Sequence, residues 1–114
     1  MIKAEYLDYI DDMLDAIYKI QTFLSDFDFE NFSQDNKTQF AVIRALEIVG
    51  EASKKIPDHI KVLYPDVPWR EIAGMRDKLI HDYFGVDIDV VWKTAIEDIP
   101  SVLISLHRIK KNMQ

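Results

Sequence analysis

From Lys3 to about Ser25 the apolar residues fall at Tyr6, Leu7, Ile10, Met13, Leu14, Ile17, Ile20 and Leu24. This is the three-and-four spacing of a helix with one buried face, and such a face is stable only when other elements cover it. Asp8, Asp11, Asp12 and Asp15 lie mainly between these positions and read as the solvated side. Aspartates at that spacing are insufficient to argue a metal site.

The same period returns three times. Lys37 to about Lys55 carries Phe40, Ile43, Leu46, Ile48 and Val49. A third helix starts at Asp66-Val-Pro68-Trp69, with proline in the first turn and acids nearby to complement the dipole, and buries Trp69, Ile72, Ala73, Met75, Leu79 and Ile80. The last runs from Asp87 to about Lys110, is capped by Asp87 or Asp89, and contains Pro100, which predicts a kink or a split. Between the first two helices, residues 25 to 36 mix turn formers with three phenylalanines and read as a connection whose aromatics tuck under the first helix, with Ser33, Asp35 or Asn36 capping the second helix. Pro57 ends the second helix, and Asp58 to Tyr64 is compatible with a short helical piece before Pro65. No alternating strand pattern appears. The expected fold is all-α, an antiparallel bundle of four long helices plus a short one, the last kinked at Pro100, in a single domain over residues 1–114.

Composition narrows the function. The chain has no cysteine, so disulfides, thiolate zinc sites and a thiol nucleophile are excluded. No apolar run approaches the length of a membrane-spanning helix and the first residues lack a signal-peptide pattern, which makes a cytoplasmic location the expectation. The net charge of −6 argues against a general nucleic-acid binder while allowing a local cationic cleft and suiting a basic partner. The three glycines, Gly50, Gly74 and Gly85, are too scattered for a phosphate-cradling loop. No paired metal-ligand spacing is present. Asp82, Asp87 and Asp89 lie near His81, but helix capping accounts for the latter two.

The densest chemistry lies between Gly74 and Tyr83, where Arg76, His81 and Tyr83 sit within ten residues. A permanent cation that forks onto phosphate, a side chain that exchanges protons near neutrality and a phenol that stacks or donates suit phosphate-ester chemistry. At about 100° per residue, Arg76 and Tyr83 share nearly one helix face while His81 lies well round from both. Either the helix ends near His81 and the chain turns, as Gly85 suggests, or a second copy of the segment completes the site. On the second helix Arg44, Glu47 and Glu51 form a stripe at spacings of three, four and seven. It is either a salt-bridged surface or one wall of the cleft that holds Arg76, and Gly50 fits the latter by letting another backbone approach in mid-helix. His107-Arg108-Ile-Lys110-Lys111 is the one clearly basic cluster, ordinary for a helix C-terminus and alternatively a surface for RNA or a partner.

Arg76, four residues, His81, one residue and Tyr83, with Asp77 directly after the arginine, resembles the signature of the HEPN ribonuclease superfamily. The wider order of Arg44-Ala-Leu-Glu-Ile-Val-Gly-Glu-Ala, Pro68-Trp69, Gly74-Met-Arg-Asp, Val86-Asp87 and Val91-Trp92 is similar to the HepT-like toxins of toxin-antitoxin pairs. The resemblance implies a homodimeric, metal-independent endoribonuclease with no cofactor, whose RNA-cleaving site is composite at the dimer interface. Arg76 and His81 would be catalytic, with Asp77, Tyr83, Arg44, Glu47 and Glu51 in support. It further implies a cognate MNT-type nucleotidyltransferase antitoxin that adds AMP to Tyr83. Cleavage by the ribose 2′-hydroxyl needs a base, an acid and a cation for the charge on phosphorus. One histidine serves poorly as both base and acid, and two copies of His81 in one cleft remove the difficulty. A second reading is a non-catalytic adaptor of the same family that binds nucleotide or RNA in the dimer cleft without cutting. A purely structural bundle is the third, and under it substitutions at these positions alter stability alone.

Overall fold

The computed structural model describes residues 3–81 and 85–113. The first helix, α1 (Lys3–Leu24), buries Ile10, Met13, Leu14, Ile17, Ile20 and Leu24 and leaves Asp8, Asp11, Asp12 and Asp15 exposed, as its period demands. Each buried side chain of this size contributes on the order of 2 kcal/mol. Six such positions hold α1 to the rest of the chain.

Residues read as a plain connection contain another helix, α2 (Phe29–Gln34). The turn formers act as caps: the Asp28 carboxylate accepts from the Asn31 N–H at 2.8 Å, and Asp35 closes α2 with its own N–H on the Phe32 carbonyl. Asp35 also caps the next helix by accepting from the Thr38 N–H at 3.0 Å. Phe32 is fully buried, 5.3 Å from the Trp92 ring, with Phe29 on the edge of the same ring, so these aromatics meet the last helical run and not simply the underside of α1. Gln39, buried, donates to the Phe32 carbonyl at 2.8 Å and ties α2 to its successor.

α3 (Asn36–Lys54) is the centre of the bundle, packed against α1 on one side and the motif helix on the other. Val42, Ala45, Leu46 and Val49 fill its inner face. After Pro57 comes a single turn, α4 (Asp58–Lys61), shorter than the span from Asp58 to Tyr64 that the sequence allowed. Buried Tyr64 and Val67 then anchor the approach to α5 (Trp69–His81), and the Trp69 indole donates to the Tyr64 carbonyl at 3.0 Å.

α6 (Ile88–Lys93) is capped by Asp87, whose carboxylate accepts from the Asp89 N–H. A π-helical segment, Thr94–Asp98, leads into α7 (Ile99–Met113). Pro100 has no N–H, and its ring presses on the carbonyl four residues back, at Ile96. The expected disturbance takes the form of a wide turn just before the proline, where the Ile99 N–H reaches the Thr94 carbonyl five residues back.

The basic end of α7 is committed to the fold. His107 meets the Tyr18 hydroxyl, Arg108 pairs with Asp66, and Lys110 pairs with Asp11 at 2.7 Å. These contacts clamp α7 to α1 and to the loop before α5. No strand occurs among the described residues, and no helix there is long and apolar enough to cross a membrane.

Candidate functional site

Gly50 determines how α5 lies on α3. A Cβ built at Gly50 would stand 2.2 Å from the Arg76 Cβ and 3.0 Å from the Ile72 carbonyl oxygen, so only glycine permits this approach. The contact sets Arg76 directly across from the polar stripe of α3. On a helical projection Phe40, Arg44, Glu47, Glu51 and Lys54 all fall on that stripe.

The Arg76 guanidinium is gripped from two sides. One terminal nitrogen meets a Glu51 carboxylate oxygen at 2.8 Å, and the other donates to Asp77 Oδ1 at 3.0 Å. The same Asp77 oxygen accepts from Lys54 Nζ at 2.9 Å. Lys54 is the site residue that sequence reading missed. Its spacing of three from Glu51 and seven from Glu47 was the available signal, but a lysine near a helix C-terminus reads first as a dipole partner.

Electrostatics follow the geometry. Asp77, bonded to Arg76 and seconded by Glu51 and Glu47, pushes the guanidinium pKa still higher, so Arg76 is cationic at every accessible pH. Lys54 and then Arg76 hold the Asp77 carboxyl below its ordinary value. Arg44, largely exposed, makes one looser contact with Glu47 at 3.3 Å. The Arg76 Nε is buried without a hydrogen-bond partner among the described residues, a donor left over after the terminal nitrogens are satisfied.

The structure therefore joins Arg76, Asp77, Glu51 and Lys54 in one network, with the separate Arg44–Glu47 pair further along the α3 stripe, where Glu47 acts on Arg76 through charge alone. His81 stands apart from it as the exposed last residue of α5. It lies four residues beyond Asp77, hence on the same face, and about 140° round the axis from Arg76. Tyr83, and Asp82 with it, lie outside the described residues. Asp87 is occupied as a cap, and no group of three or more metal-ligating side chains occurs among the described residues.

The arrangement offers a fixed cation and, further along the same helix and round from it, an exposed histidine, on a helix positioned by a glycine contact. Comparison with known proteins gives the family. Residues 13–109 match the profile of the family described as HepT-like, ribonuclease HepT-like. A Thermococcus cleftensis protein named as a probable ribonuclease HepT is 56% identical over 110 residues, covering 96% of this chain and all of its own length. A Methanocaldococcus jannaschii protein, named provisionally as an RNase, is 44% identical across the whole of this chain and 98% of its own. No solved structure matches. With the profile spanning most of its length and relatives aligned nearly end to end, this chain belongs to the HepT-like ribonuclease family.

Proposed function

We propose that the protein is an endoribonuclease toxin that cleaves RNA without a metal. The observation that carries the reading is the built cation: Arg76 is seated by Gly50 and oriented by Glu51 and Asp77, at the end of α5 that exposes His81. A guanidinium held by carboxylates is pre-positioned for the charge that grows on the phosphorane oxygens. His81 takes the 2′-hydroxyl proton or protonates the leaving 5′-oxygen. The products are a 2′,3′-cyclic phosphate and a 5′-hydroxyl.

Each chain supplies one His81, so the working unit is a homodimer with two copies at one cleft. Two exposed apolar side chains border the network and support this. Phe40, 72% exposed, lies on the α3 stripe with Arg44, Glu47 and Glu51, and Ile80, 40% exposed, adjoins His81 on α5. A second copy over this face would cover both and join the two half-sites. The partner that silences the toxin is an MNT-type nucleotidyltransferase, which transfers AMP from ATP to the Tyr83 phenol and releases pyrophosphate.

The test is cleavage of total cellular RNA in EDTA by unmodified protein and by His81→Ala, with melts confirming that both are folded. Discrete fragments with cyclic-phosphate ends from the parent alone support the reading. Equal behaviour of the two, with intact mass excluding an AMP adduct, replaces it with a module that binds RNA or nucleotide without cutting.

A further inference from the structure

The face of α5 turned away from Asp77 and His81 borders an open trough of 470 Å³, walled on its other side by α6, the π-helical segment and α7. Its floor is apolar, with Ile72, Met75 and Leu79 from α5 facing Val91, Ile99 and Val102. From Pro68, just before α5, the lining residues recur at Ile72, Met75 and Leu79 along the helix, about three helical turns or roughly 16 Å. That is the footprint of a short helix. The trough also leaves Val90 53% exposed, a large apolar side chain on a wall that nothing in the described chain covers.

The rim decides the chemistry of the occupant. Glu71, Asp87, Glu97 and Asp98 stand around the floor against a single cation, Lys78. Asp87 is engaged as the cap of α6, and none of the four acids forms an ion pair among the described residues. An RNA strand is repelled by such a rim, and a neutral apolar helix would leave the carboxylates unanswered. We propose that this trough is a docking site for an amphipathic helix of a partner protein, with apolar residues at three-and-four spacing and lysine or arginine on its flanks. The contact lies on the helix that carries Arg76 and His81 but on its other side, so a partner held here grips the motif helix without entering the proposed cleft. The inference does not depend on the nuclease chemistry.

Binding to the full chain is measured by fluorescence anisotropy with two labelled peptides of about fourteen residues. Both carry leucines at three-and-four spacing, one flanked by lysines and the other by glutamates. The basic peptide is expected to bind at low salt, weaken as salt rises, and move the methyl resonances of Ile72, Leu79 and Val91. Reversing the rim with Glu71→Lys, Glu97→Lys and Asp98→Lys together weakens it tenfold or more. The exposed wall variant Val90→Asn, which leaves the fold intact by thermal melt, weakens it as well. Equal binding of the acidic peptide, or binding that survives both sets of substitutions, overturns the proposal. So does a change in sedimentation of Val90→Asn, which would make the trough a contact between copies of this chain, or indole filling it without competition from the basic peptide.

Discussion

The two faces of α5 are packed by opposite rules. Toward α3 the helix sits so close that a single methyl group at Gly50 has no room, and the guanidinium that results is fixed by two carboxylates. Toward α6 and α7 the same helix stands off and leaves a trough with an apolar floor. Close approach fixes a side chain at the cost of tolerance to substitution, whereas open space keeps a surface available. The chemistry is expected on the tight side and the variable partner contact on the loose one.

The strongest way to break this comparison is at Arg76. Arg76→Ala is expected to reduce RNA cleavage about a hundredfold or more, the scale of losing one preorganised charge at a transition state, with fold and dimer retained in circular dichroism and sedimentation. Arg76→Lys keeps the charge but loses the fork onto Glu51 and Asp77 and is expected to recover only part of the rate. Full activity in Arg76→Lys would mean that the two-sided grip is irrelevant.

Next comes the glycine that permits the grip. Alanine in mid-helix normally gains up to ~1 kcal/mol over glycine. At Gly50 the new methyl meets Arg76 Cβ, which is anchored to backbone and cannot swing away. Overpacking of this kind costs about 1–3 kcal/mol, so Gly50→Ala is expected to lower the melting temperature and to lose cleavage by displacing Arg76. A melting temperature equal to the parent's would show that α5 slides on α3 at little cost.

How much of this was legible depends on whether each feature is local to its segment. The long helices were readable because their apolar period is contained within each one. The Gly50 contact and the Glu51 partnership with Arg76 match the second of the two readings left open for the α3 stripe, the wall beside Arg76. α2 was hidden because Asp28 and its polar neighbours read as turn formers, and the burial of Phe32 on Trp92, sixty positions away, which adds to the caps in stabilising the helix, is not visible within the segment. Lys54 was hidden because its partner lies on another helix. At the basic end of α7, read as an ordinary helix C-terminus or alternatively as a surface for RNA or a partner, the contacts of His107, Arg108 and Lys110 were hidden because Tyr18, Asp66 and Asp11 are scattered along the chain. The separation of Arg76 and His81 round one helix was legible from spacing alone, and it left open whether a turn of the chain or a second copy brings them together.

A smaller effect tests the clamp of α7 against the network of α5. The Ser105 hydroxyl and then Arg108 hold the Asp66 carboxyl below its ordinary value. A depressed carboxylate contributes stability above its unfolded pKa, near 4, and loses it as pH falls through the folded value. The group is partly exposed, so after solvent screening the contribution is about 0.5 kcal/mol. Asp66→Asn should lower stability at neutral pH by that amount and leave it unchanged once the pH has fallen below the folded value, where the parent carboxyl is protonated as well. Urea unfolding at the two pH values measures the difference. A deficit that persists in acid would assign the loss to packing and not to charge.

Gly74 supplies the last and finest contrast, because it lies on the same helix as the Gly50 contact, yet a methyl group built on its Cα has no atom within 4 Å. Here only the backbone term remains, and Gly74→Ala is expected to stabilise the chain by about 0.5–1 kcal/mol, seen as a small rise in melting temperature. Gly74 lies on the side of α5 that carries Asp77 and His81, the face assigned to the second copy. If that copy closes tightly over it, the added methyl will weaken the dimer in sedimentation and slow cleavage even as the monomer fold gains. A rise in melting temperature with unchanged dimer and rate would instead put the dimer contact further along, at Phe40 and Ile80. The pair of glycines thus separates packing within a chain from packing between chains.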